Sequence, residues 1–118
     1  MTTTTGERLP AADVARICYD TIRAHQAAYG DPVNEPWERA GDTARASAVA
    51  AVELGVREPD PAIRHDAWVR ARTAEGWTPG PVKDPAAKTT PWLVPYGDLP
   101  PRARERGRIY AALAAALR

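Results

Sequence analysis

The sequence predicts a mainly α fold with short β segments: about four helices and an irregular arm carrying short strands. Three observations carry this expectation. Segments with apolar residues at helical spacing are bounded by Pro, Gly or capping residues. The stretch from Trp77 to Pro101 is instead broken by Pro79, Gly80, Pro81, Pro85, Pro91, Pro95 and Gly97, and no long helix fits there. Alanine supplies much of the 44% apolar content and Phe is absent, so the core is expected to be thin.

The first helix is predicted over AADVARICYDTIRAHQAAYG, opened by Pro10 and ended by Gly30 and Pro32. Val14, Ile17, Cys18, Thr21, His25 and Tyr29 would form its inner stripe. DPVNEPWERAGD follows as an extended connector, with Trp37 expected to pin it to the core. Asp42 is the expected N-cap of a second helix, TARASAVAAVELGVRE. In it Val49, Val52 and Val56 share one side, and the alanines allow close approach of a neighbour.

Asp60-Pro61 is a cap followed by proline at the first helical position, so a third helix, AIRHDAWVRARTAEG, starts there. Gly76 is its expected C′ residue. Ile63, Ala67, Ala71 and Ala74 are assigned to the core. Arg64, His65, Trp68 and Arg72 fall on another side. Trp77 is expected to pack across the helix end. In the arm, Pro81-Val82-Lys83 and Trp92-Leu93-Val94 are the expected extended pieces, with Trp92 pointing outward if Leu93 points in. Asp98 or Pro100 opens the last helix, with Ile109, Leu113 and Leu117 facing inward and Tyr110 beside them.

The organisation expected is a flexible tail over residues 1–10 and one domain over 11–118. MTTTTGERLP lacks a basic region followed by an apolar one, so no signal peptide is read there. No apolar run reaches the roughly 18 residues of a membrane span. The lone Cys18 allows no internal disulfide and suits a cytoplasmic setting. Sixteen Lys+Arg against fifteen Asp+Glu argue against a dedicated nucleic-acid or membrane-surface partner.

Catalytic chemistry finds little footing. His25 and His65 are the only histidines, and there is no HExxH, no metal-spaced Cys/His/Asp cluster and no phosphate-cradling glycine loop. The only serine, Ser47, lies among alanines and not on a Gly-x-Ser-x-Gly turn. Adjacent helical residues such as His65 and Asp66 point in different directions. We expect neither an enzyme nor a cofactor. Binding chemistry is better represented. An indole stacks on a flat base and guanidinium groups pair with phosphate, so Trp68 with Arg64, His65 and Arg72 could form a ligand face. The same residues read equally as a half-buried tryptophan among solvated arginines. Lys83 and Lys88 could reach phosphates from the arm, or be ordinary surface lysines. Arg102 to Arg108 reads as the solvated face of the last helix, with contact to nucleic acid as the other option.

One ordered pattern spans much of this region: His65-Asp66-Ala67-Trp68, then Gly76-Trp77-Thr78-x-Gly80-Pro81-Val82-x-Asp84, then Pro91-x-Leu93-Val94-Pro95-Tyr96-x-x-Leu99-Pro100. It resembles the ryanodine-receptor repeat, or RyR, domain. Ala15-Arg16-Ile17-Cys18 and Pro36-Trp37-Glu38 resemble the stand-alone bacterial and phage versions. The resemblance runs from roughly residue 12 onward. It implies a small, mostly helical fold with short strands. In the receptors, tandem repeats sandwich an adenine nucleotide between the tryptophans of their His-x-x-Trp segments. Trp68 matches that tryptophan and Arg72 matches a basic ligand-contacting position. The sequence departs from the family at Pro79, where tyrosine is usual, at Thr90, where histidine is usual, and at Trp92, where a small or basic residue is usual.

These readings together give a non-enzymatic domain for a nucleotide or an NAD- or ADP-ribose-derived signal, used in sensing or sequestration, including phage–bacteria conflict. Its expected ligand-binding residues are Arg64, His65, Trp68, Arg72, Lys83, Trp92 and Tyr96, with no metal site. A single repeat supplies half a sandwich, so a homodimer is expected. The alternative is a protein-interaction or assembly module with exposed tryptophans.

Overall fold

A computed structural model describes residues 8–118. Among them are four α-helices: α1 (Ala11–Tyr29), α2 (Asp42–Arg57), α3 (Pro61–Ala74) and α4 (Pro101–Leu117). Short 3₁₀ turns cover Trp37–Arg39 and Tyr96–Asp98. Two strands, β1 (Thr78–Pro79) and β2 (Thr89–Thr90), pair in parallel with Thr78 opposite Thr89. The chain is therefore mainly helical with short β segments, as its sequence predicts. Of the expected tail, residues 1–7 lie outside the described residues. Leu9 is tied down, its amide donating to the Leu117 carbonyl at 3.0 Å.

The core is a three-helix layer. Val14, Ala15, Cys18 and Tyr19 of α1 meet Ala48 and Val52 of α2 and Ala114 of α4. Trp37, Val49, Tyr110, Leu113 and Leu117 close it from the sides. Trp37 does pin the connector, standing edge-on to Tyr19 with ring centroids 5.4 Å apart. The Tyr19 hydroxyl donates to the Glu35 carbonyl at 2.6 Å and fixes the same connector. Small residues set the spacing of α2 and α4. A Cβ added at Gly55 would lie 3.3 Å from the Ala111 Cα.

Several expectations are corrected. The inner stripe of α1 is Val14, Ala15, Cys18, Tyr19, Ile22 and Gln26, while Ile17 and Tyr29 are exposed. The two sets share Val14 and Cys18 and diverge because α1 packs on two helices at once. The connector adds a further wall, met by Tyr19 at Glu35 and Trp37 and by Gln26 at Asn34. Gln26 is buried for a polar reason: its Oε1 accepts the Asn34 amide at 2.8 Å. Asp42 does not cap α2. Gly41 holds that position at φ 83°, and no side chain bonds the helix end. Val56 is exposed.

The largest correction concerns α3, which buries no residue at all. Its assigned inner face is turned out, with Ile63, Ala71 and Ala74 exposed. Arg64, His65, Trp68 and Arg72 are half-buried, as is Ala67 of the assigned face. Three close-packed helices leave no slot for a fourth, so α3 lies against their edge and against the arm. Its ends follow the sequence closely. Asp60 accepts the Ala62 amide at 2.9 Å, with Pro61 at the first position. At the far end Gly76 takes φ 92°, its amide bonds the Thr73 carbonyl, and the Trp77 amide bonds the Arg72 carbonyl. That is a complete Schellman motif.

The arm is extended at places other than those expected. β1 and β2 lie at Thr78–Pro79 and Thr89–Thr90, and neither Pro81–Lys83 nor Trp92–Val94 forms a strand. Between them Asp84 Oδ1 accepts the amides of Ala86 and Ala87, which turns the chain back. Gly80 is required here, because a Cβ would stand 2.8 Å from the Thr89 Cβ.

The basic run Arg102–Arg108 is solvated only in part: Arg108 is exposed, while Arg102, Arg104 and Arg106 are half-buried. Arg102 Nε and Arg106 Nη2 both reach Asp31 Oδ2, at 2.9 and 2.6 Å, clasping α4 to the connector after α1. The hydrogen bond from Arg102, seconded by Arg106, holds the Asp31 carboxyl below its ordinary value of 3.8. A lowered carboxyl stabilises the fold above its unfolded value, and this contribution is lost as pH falls through the folded value. Asp31→Asn is therefore expected to lower stability at pH 7, by roughly 1–3 kcal/mol for a part-buried charge-assisted pair. The difference from wild type should shrink below pH 3.8. Urea titrations of both chains across this range check it.

Candidate functional site

The Schellman turn and the arm place aromatic side chains along one side of α3. His65 Nε2 donates to the Val94 carbonyl at 2.7 Å, so this nitrogen carries its proton and the ring is fixed. The Trp68 ring lies nearly parallel to it, tilted by 21° at 5.6 Å between centroids. Tyr96, from the second 3₁₀ turn, tilts at 58° to His65, 6.1 Å away between centroids. These three rings make an aromatic ledge with a hydrogen-bonded centre. Arg104 of α4 adds a guanidinium 5.9 Å from the Tyr96 ring centroid.

Trp92 is not on an alternating strand, so its side is not set by Leu93. It is half-buried, and Arg102 stands 5.4 Å from its ring centroid. Thr90, where the family usually has histidine, is buried on β2, and its hydroxyl accepts the Trp92 amide at 3.3 Å. Arg64 turns to the start of its own helix, donating to the Glu58 carbonyl at 2.7 Å. Arg72 bonds Glu75 Oε2 at 3.0 Å. With Trp77 and Lys88, Arg72 and Glu75 line an open cleft of about 450 Å³. The structure thus brings His65, Trp68 and Tyr96 together, sets Trp92 against α4, and directs Arg64 and Arg72 to other partners.

Lys83 is held in place by Asn34, whose Oδ1 accepts from its Nζ. Asn34 is itself fixed, its amide bonded to Gln26 and its carbonyl accepting from Arg23 Nε at 2.9 Å. Among the described residues no carboxylate pairs with Lys83. Burial, with the nearby charges of Arg106 and Arg72, lowers its ammonium to about 8. Lys88 bonds the Glu75 carbonyl at 2.8 Å, at the carbonyl-rich end of α3. Lys83 is therefore not a free surface group, while Lys88 is exposed but tied to the helix end.

Sequence reasoning missed Arg102, Arg104 and Asn34. The i, i+4 spacing of Arg102 and Arg106 marks one face of α4, and that face could have been read as paired. Nothing local marks Arg104 or Asn34, whose partners lie across turns of the arm and connector.

Residues 62–115 match the family model of the RyR domain. That match covers 54 of the 118 residues. The match takes in α3, the arm and nearly all of α4, and leaves α1 and α2 outside it. The matched segment therefore holds the whole ledge, while the other two helices supply most of the core it rests on. No curated protein matches the chain. No helix of the described residues is long and apolar enough to cross a membrane, and no group of three or more His, Cys, Asp or Glu among them could hold a metal ion.

Lys83 gives a pH signature. A lysine whose folded value lies below its unfolded value of 10.5 opposes folding while charged, so its penalty fades as pH rises from about 8. Cys18, raised by burial from 9.0, acts the opposite way at higher pH. Comparison with Lys83→Met isolates the lysine: the variant should be more stable than wild type at pH 7, and the gap should narrow from pH 8 upward. Denaturant midpoints at closely spaced pH values test this.

Proposed function

We propose that this chain is a RyR-type, non-enzymatic binding domain for a small nucleotide or an NAD- or ADP-ribose-derived signal. The observation that supports this best is the ledge of His65, Trp68 and Tyr96 with Arg104 at its edge. A fixed aromatic surface suits a flat base, and a guanidinium beside it suits a phosphate. The Val94 bond holds the ledge before ligand arrives, which reduces the ordering cost of binding. Arg104 takes the phosphate role that the sequence assigned to Arg72, because Arg104 stands beside Tyr96 while Arg72 lines the separate cleft with Glu75. One ledge stacks on one side of a base, so a second copy supplies the other side across a twofold axis. Sensing and sequestration, including in phage–bacteria conflict, are both uses that such a site would serve.

A second reading, as an assembly module, draws on Ile63 and Val56, 46% and 53% exposed at the adjoining ends of α3 and α2. Calorimetric titration with ATP and ADP-ribose separates the two. On the nucleotide reading one of them binds, and Trp68→Ala weakens it by about tenfold to a hundredfold, the loss of roughly 1–3 kcal/mol of stacking. Sedimentation should show dimer formation promoted by that ligand. No heat with either nucleotide, together with dimerisation abolished by Ile63→Asp, would favour assembly.

A further inference from the structure

The cleft beyond the C-terminal end of α3 is separate from the ledge and has its own chemistry. Trp77 and Pro85 supply flat apolar surface to its lining, and Ala40 and Ala44 keep the opposite side small. The polar lining is Arg72, Lys88, Glu75 and the Thr43 hydroxyl. Two cations against one carboxylate leave one positive charge in excess. Asp42 shares the first turn of α2 with Thr43 but does not line the cleft.

Two observations single this cleft out. Arg72 Nε is buried and has no hydrogen-bond partner, although Nη2 of the same guanidinium is satisfied by Glu75. A buried unsatisfied donor on a charged group is costly, and a shift of the Arg72 side chain that turned it to an acceptor in the cleft would relieve it. Lys88 adopts φ 55°, the one left-handed backbone outside glycine among the described residues. That conformation is unfavourable for a lysine, and here the ammonium turns back over the helix end to the Glu75 carbonyl, on the lining it shares with Arg72.

We propose that this cleft binds a planar aromatic monocarboxylate, its ring against Trp77 and its carboxylate between Lys88 and Arg72. One excess positive charge matches one carboxylate, and the flat apolar lining matches a ring better than a compact oxyanion. Binding here is independent of the nucleotide reading, since Trp68 does not line the cleft.

The experiment uses the whole chain and benzoate as probe, followed by ¹H–¹⁵N spectra with the Trp77 indole assigned through Trp77→Phe. Benzoate should shift the Trp77 indole and the Lys88 amide saturably. Lys88→Gly removes the ammonium while accepting the left-handed backbone, so it keeps the fold. It should weaken benzoate about tenfold, in keeping with loss of one charge-assisted contact. Benzamide, with the same ring and no charge, should bind at least about tenfold more weakly than benzoate. Absence of a saturable Trp77 shift overturns the proposal, as does equal binding of benzoate and benzamide, or unchanged affinity in Lys88→Gly. Inorganic phosphate binding as tightly as benzoate overturns the aromatic assignment. The Trp68 indole reports the ledge in the same spectra, so failure at one site is distinguishable from failure at the other.

Discussion

The close approach of three alanine-rich helices governs the rest of this structure. Gly55 faces Ala111 and Ala114, and the fully buried side chains of the layer are no larger than valine and cysteine. Helices so near to each other gain dispersion contacts along their length, but bury little area per residue. The aromatic residues around the edge then carry more of the stabilisation. Trp37 and Tyr110 do this for the core, and Tyr19 fixes the connector as well.

The tight layer also decides where α3 can go. Excluded from the core, it is held by polar and aromatic contacts: the Asp60 cap, the Schellman turn, and the His65 bond to Val94. The side a core helix would bury is turned outward, and the side carrying His65, Trp68 and Arg72 faces the arm. Functional groups thus lie at a margin, on a helix whose position depends on hydrogen bonds more than on buried area. The charged residues of α4 serve the same end. Arg102 and Arg106 clasp Asp31, and Arg102 and Arg104 also lean over Trp92 and Tyr96.

Much of the fold was legible because helix ends are local events. Asp60-Pro61 and Gly76 mark the bounds of α3 through backbone geometry that neighbouring residues determine. The facing of helices was less legible, because it depends on what each packs against. Periodicity identified a stripe on α1 but not the further wall where Tyr19 and Gln26 meet the connector. On α3 it separated two faces and assigned the wrong one inward, since alanines suit a core and also suit an exposed helix. Two-residue strands leave no alternation to read. At the candidate site the aromatic members were visible from their spacing and from the RyR pattern. Their cationic neighbours were not: Arg104 meets Tyr96 only because Pro100 and Pro101 redirect the chain between them. Arg72 looked available, yet a carboxylate three residues away engages it.

Cys18 has no role in either site. It is fully buried between α1 and its neighbours, and burial pushes its thiol up to about 11. A thiol that is both inaccessible and protonated does not react with alkylating reagents at neutral pH. Modification therefore requires the three-helix layer to part first. The only sulfhydryl in the chain makes each such opening chemically countable, so the protein contains its own clock for the lifetime of its folded state.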